Sequence, residues 1–368
     1  MKKDVLISLC MIVKNEEDTI ARCLSSIASF VDEIIIVDTG STDKTKEIVG
    51  EFTDKIYDFV WCDDFGKARN FSFSKASGKY VMWLDADDVV LPEDLKKLIS
   101  LRDRLREEKT DVFMLKYNIS FDENGKPTYT YFRERILKNV EGLKWQGFIH
   151  EAITPFGNVE YLDIAIKHSK IHSGDPKRNL NIYNKKRAEG VEFSARDMYY
   201  FARELYYNKF YEEAISEFDN LLKRNDVWIE DRIGAVEIKA KCEIELKMYD
   251  DALNTAFQSF KMDIPRANIL CLVGDIFIYK NCHNIAIYWF ELALKCQISS
   301  NSRGFQNLDY FGYYPYLQLS VCYFKVGNPV KSYECNCKAM EIKPSNKTVL
   351  DNDKFFKDYF KKNNIKID

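Results

Sequence analysis

Ile34-Ile35-Ile36-Val37-Asp38-Thr39-Gly40-Ser41-Thr42-Asp43 is the stretch that decides the fold. Four branched apolar residues in a row suit a strand buried on both faces, which requires a sheet covered by helices on each side. The strand ends in a carboxylate, and the small hydroxyl residues after it turn the chain toward a helix. Open parallel sheets bind ligands at the carboxyl ends of their strands, so Asp38 stands at the edge where a site belongs. The loop lacks both the G-x-G-x-x-G spacing of dinucleotide folds and the G-x-x-x-x-G-K-[ST] of phosphate loops, so neither assignment holds. Asp38 then has two readings: an acceptor for a base or ribose hydroxyl, or a helix N-cap, which Ser41 or Thr42 can fill as well.

Working outward, residues 6–13 read as a strand, 18–30 as a helix, 33–37 as the second strand, 42–52 as a second helix and 80–84 as a later strand. This alternation implies a mainly parallel sheet. Leu91-Pro92-Glu93-Asp94 opens a further helix with proline in its first turn. After the later strand comes Asp85-Ala86-Asp87-Asp88. Three carboxylates at the end of so apolar a strand repel one another unless a cation sits among them, and oxygen-rich sets of this kind suit Mg²⁺ or Mn²⁺. From about 111 to 175 the pattern turns β-rich, with segments 111–121, 128–137 and 161–172 and a turn at Asp122-Glu123-Asn124-Gly125.

Together these pieces resemble the family 2 glycosyltransferases. The matching stretches are Cys10-Met11-Ile12-Val13-Lys14-Asn15-Glu16-Glu17, the 37–43 segment, Ala68-Arg69-Asn70, Ala76-Ser77-Gly78 and the Asp85-Ala86-Asp87 D-x-D motif. The resemblance implies an α/β GT-A fold, a Rossmann-like mixed sheet, over residues 5–175. It implies that Asp38 and the backbone near Ile12 hold a nucleotide base, Arg69 supports the nucleotide, Asp85 lies by the ribose and Asp87 ligates a metal bridging the diphosphate. Phe132-Arg133-Glu134-Arg135-Ile136-Leu137 and Lys144-Trp145-Gln146-Gly147-Phe148-Ile149-His150-Glu151 look like the R-I-F…W-x-G-x-x-H-E segment of a bacterial subgroup. By that likeness Glu151 is the acceptor-side base, with Arg135, Trp145 and His150 as further acceptor-side candidates. The alternative for Glu151 is a structural salt bridge, for instance to Arg135. His168 and His172 lie four apart before a Ser-Gly turn, and His172 resembles the histidine that completes the metal site in many GT-A enzymes.

After Lys185 the chain turns helical. Ala214, Ala252, Ala286 and Ser332 recur as small anchors in Tyr211-Glu212-Glu213-Ala214, Tyr249-Asp250-Asp251-Ala252 and Asn284-Ile285-Ala286. Tyr316, Leu319, Tyr323, Ala339 and Pro344 sit at tetratricopeptide offsets from Ser332. The expected organisation is a GT-A domain at 1–180, a linker at 181–194, three or four tetratricopeptide-like helix pairs at 195–346 and a capping helix at 347–368.

Composition narrows the function. The 54 basic and 57 acidic side chains leave a net charge of −3, which argues against nucleic acid or an anionic membrane surface as partner. No run of eighteen apolar residues occurs, and the stretch after Met1-Lys2-Lys3-Asp4 is short and lacks a small-residue cleavage site, so a cytoplasmic chain without a membrane span is expected. Ten scattered cysteines fit a reducing compartment better than a disulfide framework. Aromatics reach 14% and concentrate in the helical half. The cluster Phe305, Tyr310, Phe311, Tyr313 and Tyr314 reads as a partner-facing patch, for a homodimer or a peptide.

The order of parts also resembles the bacterial glycosyltransferases that modify bacteriocin peptides, including those acting on cysteine. The expectation is an inverting, Mg²⁺- or Mn²⁺-dependent transfer from a nucleotide-sugar, UDP-hexose by family likeness, to a peptide or protein side chain. The alternatives are a cell-envelope glycan acceptor and a repeat scaffold with an inactive GT-A domain.

Overall fold

The computed structural model describes residues 5–171, 174–298 and 304–365. Two compact units result: Met1–Ile119 with Thr130–Val191, and Ser120–Tyr129 with Glu192–Asp368.

The first unit contains strands β1 (Ile7–Val13), β2 (Glu33–Asp38), β3 (Ile56–Asp58), β4 (Tyr80–Trp83), β5 (Asp88–Val90), β6 (Val112–Phe121), β7 (Pro127–Lys138) and β8 (Val159–His168), the β6–β7 hairpin tip being assigned to the second unit. Helices α1 (Ile20–Ile27), α2 (Thr45–Val49), α3 (Phe65–Phe73), α4 (Pro92–Arg106) and α5 (Arg178–Ala188) accompany them. The sheet order is β3-β2-β1-β4-β7-β6-β8-β5. β1, β2, β3 and β4 pair in parallel, and β7 then joins β4 antiparallel, so the sheet is mixed as expected. β4 is buried throughout, and β1 and β2 at all but one position each, the signature of strands covered on both faces. Leu9, Met11, Ile36 and Met82 pack with Ile20, Leu24 and Ile27 of α1 on one face, while Cys10, Ile35 and Val81 meet Phe73 and Trp145 on the other.

Two registers shape the carboxyl edge of the sheet. Val13 pairs with Asp38, so the loops after β1 and β2 leave the sheet side by side. Asp88 pairs with His168, which brings the end of β8 to the D-x-D loop. The helix α5 starts at Arg178 and belongs to the first unit, where a linker was expected from 181.

The second unit is helical, with α6 (Ala195–Tyr207), α7 (Tyr211–Leu222), α8 (Ile229–Glu245), α9 (Tyr249–Gln258), α10 (Ala267–Tyr279), α11 (His283–Ala293), α12 (Tyr313–Lys325), α13 (Pro329–Ile342) and α14 (Lys347–Lys362). α6 to α13 form four helix pairs among the described residues. The anchors Ala214, Ala252, Ala286 and Ser332 are all fully buried. Five positions before each anchor, Lys209, Lys247, Asn281 and Gly327 adopt positive φ. The next amide in each case reaches back to the carbonyl of Leu205, Glu243, Phe277 or Tyr323, so one Schellman-type turn closes all four first helices. A repeated backbone device at these spacings is the repeat unit itself.

Four of the five rings in the aromatic cluster have partners within the second unit. Tyr314 donates to Asp275 at 2.8 Å, Tyr310 meets Tyr314 edge-on, Tyr313 donates to Asn346 at 3.0 Å, and Phe305 packs on Tyr129 beneath Arg203. The tyrosines have a polar end and a wide apolar body, and the second unit uses both internally.

Candidate functional site

The carboxyl edge of the parallel strands carries two interlocked loops. Asn15, at φ 54°, donates its amide to Ser41 Oγ at 2.9 Å and accepts from the Thr42 amide at 2.8 Å. Asp38 is buried and takes the Gly40 and Ser41 amides at 3.1 and 3.0 Å. α2 begins only at Thr45, so Asp38 organises the turn, and Ser41 and Thr42 are not the helix cap. Ile12 lies opposite Val37 in the strand just below.

After β4 the three acids separate by environment. Asp85 keeps 35% of its side chain exposed and Asp87 19%, whereas Asp88 has none. Asp88 accepts from Arg135 Nη1 at 3.0 Å, from the Tyr117 hydroxyl at 2.8 Å and from the Asp85 amide at 3.0 Å. Arg135, expected on the acceptor side, is fully buried beneath the loop with its guanidinium over Trp83 and Tyr117. His168 Nδ1 lies 2.9 Å from the Tyr117 hydroxyl and 3.3 Å from Asp87.

Asp87, Asp88 and His168 each present a ligand atom within 4.8 Å of the others. Two carboxylates and one imidazole fit a divalent ion of the Mn²⁺ or Mg²⁺ kind. Burial alone lowers the His168 pKa, yet hydrogen bonds to Asp87 and Asp88 hold it up at about 10, and a divalent ion at the pair would take the place of that ring proton. Burial pushes Asp85 the other way, but Arg69 and Arg135 bring its pKa down to about 2. His172 lies outside the described residues. His168 is the histidine that the β5–β8 register delivers, and its only sequence signal is its alternation with residues of a strand.

The third part hangs on α3. Asp64 caps the helix through the Lys67 amide. Arg69, on the next turn, is 6% exposed and lies against the touching pair Trp83 and Trp145, 4.8 and 5.0 Å from their ring centres. Its Nε donates to Glu151 at 2.5 Å and its Nη2 to Asp85 at 2.6 Å. Glu151 therefore has a salt bridge, but to Arg69, because Arg135 is spent on Asp88; Arg133 holds the Glu151 carbonyl at 3.2 Å.

The loop that carries Glu151 is closed by paired bonds between Gln146 and Ala152, with Gly147 and His150 at positive φ. A Cβ on Gly66 would collide with the Gly147 carbonyl, so this contact between helix and loop requires glycine. Trp145 is buried as the wall beneath Arg69, and His150 is half-buried beside Glu151. The edge thus joins a turn organised by a buried carboxylate, a metal-competent cluster and a shielded carboxylate. Asn15, Asn70, Tyr117 and Arg133 are contributors to which sequence reasoning assigns no role, and His168 enters it only as the less favoured of two histidines.

Residues 8–156 match the family model for glycosyl transferase family 2. A TPR repeat-containing protein of Synechococcus elongatus is 34% identical over 148 residues, 40% of this chain and 35% of that protein. The SPbeta prophage-derived glycosyltransferase SunS of Bacillus subtilis is 28% identical over 231 residues, 59% of this chain and 54% of the relative. An Escherichia coli relative, UDP-Glc:alpha-D-GlcNAc-diphosphoundecaprenol beta-1,3-glucosyltransferase, is 32% identical over 124 residues, 32% of this chain and 44% of that protein. The chain spans between a third and just over half of the length of these curated relatives. It carries a family 2 glycosyltransferase domain in its first unit, joined to a tetratricopeptide-like array of helix pairs.

Proposed function

We propose that the chain transfers a sugar, with inversion, from a nucleoside-diphosphate sugar to a peptide or protein side chain. The observation that carries the reading is the single edge holding Asp38, the Asp87–Asp88–His168 cluster and the Arg69-bound pair of Asp85 and Glu151. Asp38 and the backbone at Ile12 receive the base, Asp85 the ribose, and Asp87 with His168 hold the ion. Mg²⁺ or Mn²⁺, when bound, supplies positive charge against the departing diphosphate. Glu151 takes the acceptor's proton as the acceptor atom bonds to the anomeric carbon and the bond to the diphosphate breaks. A cysteine thiol is the acceptor that asks least of such a base.

A glycan acceptor is the second reading, favoured by the relative named for transfer to a diphosphoundecaprenol-linked sugar. No helix among the described residues is long and apolar enough to cross a membrane. We place the enzyme in the cytoplasm as a homodimer, and its free cysteines support a reducing compartment. The test is a panel of UDP- and GDP-sugars with Mn²⁺. Slow donor hydrolysis lost in Asp87→Ala supports the reading, and no nucleotide release from any donor leaves the scaffold alternative. Mass spectrometry of offered peptides and glycans separates the acceptors.

A further inference from the structure

Arg69 joins two carboxylates that come from different parts of the chain. Asp85 follows β4, and Glu151 closes the loop held by α3. The guanidinium lies against both Trp83 and Trp145, whose own rings meet edge to face, so swinging away from its carboxylate partners costs it those ring contacts. Its third nitrogen, Nη1, is buried and makes no hydrogen bond, which leaves Asp85 and Glu151, among the described residues, as the side chains whose hydrogen bonds orient the plane. The two ends differ in access: Asp85 is 35% exposed and Glu151 only 10%.

We propose that Arg69 is a positioning residue that couples occupation of the donor side, at Asp85, to the placement of Glu151. This rests on the glycosyltransferase reading above. A donor hydroxyl that engages Asp85 competes for the oxygen now given to Arg69, and the guanidinium then bonds more strongly to Glu151. Coupling of this kind is reciprocal, so the charge at Glu151 sets donor affinity although Glu151 does not touch the donor. Lysine in place of Arg69 breaks the link, because an ammonium cannot span two carboxylates with a fixed planar fork.

The test is calorimetric titration of the full chain with UDP, and separately GDP, in Mn²⁺. In the native background Glu151→Gln shifts the dissociation constant by about five-fold or more, and in Arg69→Lys the same change shifts it less than about two-fold. Arg69→Lys also lowers kcat more than it raises the donor KM, a split that a merely structural role does not produce. Equal shifts in both backgrounds, or none in the native one, overturn the coupling. Should Arg69→Lys fail to fold, the Asp85→Asn and Glu151→Gln cycle replaces it, and effects that simply multiply overturn the proposal. If the unaltered protein takes up neither nucleotide, the glycosyltransferase reading falls and the coupling with it; uptake with independent effects removes the coupling alone.

Discussion

The side chain of Asn70 closes on both backbone groups of Trp145: Nδ2 donates to the carbonyl at 3.1 Å, and the Trp145 amide donates to Oδ1 at 2.9 Å. One amide thus ties α3 to the loop that ends in Glu151, with the Phe65 amide on the Phe148 carbonyl at 2.8 Å as a second tie. Asn70→Ala strands a buried donor and acceptor, a loss of about 1–3 kcal/mol. The expected outcome is a lower unfolding midpoint and a kcat reduced more than donor affinity, measured by thermal melts and steady-state kinetics.

Asp88 and Arg135 form an ion pair with no exposed surface. Removing one partner of such a pair costs about 3–5 kcal/mol because the other charge stays buried, whereas removing both costs far less. In urea titrations Arg135→Met is therefore expected to be much less stable than the native chain, and Arg135→Met combined with Asp88→Asn to recover part of the loss. A double variant as unstable as the single one would count against this.

Asp87 and His168 offer the more accessible ligand atoms of the cluster. His168→Ala and Asp87→Ala are each expected to weaken Mn²⁺ binding by about ten-fold or more in calorimetry. Chelation is expected to stop donor turnover, and added Mn²⁺ to restore it. Unchanged Mn²⁺ affinity in both variants would remove the cluster as the ion site.

Glu33 fastens β2 to its neighbours by accepting from Ser8, Lys55 and both the amide and hydroxyl of Ser77. Burial raises its pKa, but Lys55 and the Ser77 and Ser8 donors overcome this and bring it down to about 2 from 4.5. A lowered folded-state pKa contributes stability above the unfolded value that is lost as pH falls toward the folded one. Between pH 4.5 and 2, Glu33→Gln is expected to lose less stability than the native chain, while being less stable at pH 7; parallel pH curves for the two would refute this.

The fourth turn of the repeats has Gly327 where the others have Lys209, Lys247 and Asn281, all at positive φ. Left-handed backbone costs a lysine about 1–2 kcal/mol that glycine largely avoids. Lys247→Gly is expected to stabilise the chain by about 0.5–1 kcal/mol, net of the glycine's greater chain entropy. A melting point below that of the native chain would show the turn to be held by something other than backbone conformation.

Much of the site's vocabulary is written in short stretches. The strands around Ile34–Val37 and Val81–Leu84 are legible because continuous apolar runs admit few alternatives, and the acids that end them follow directly. The repeats are legible because each helix pair needs a small buried residue where its helices cross, as at Ala252. What escaped is non-local. Nothing around Arg69 announces that it will meet Glu151, and the inward turn of Tyr314 depends on Asp275, a residue in another repeat.

The sequence by itself determined which residues stand at the strand ends, in what order, and that the helical half repeats. Only the tertiary structure decided which acid does what. Asp85, Asp87 and Asp88 lie within four positions, yet Arg135 from β7 and Tyr117 from β6 close over Asp88, His168 from β8 comes beside Asp87, and Asp85 stays open beside Arg69. Those partners arrive through pairing of strands far apart in the chain, and charge neutralisation under burial depends on which partner arrives, not on which residues are adjacent.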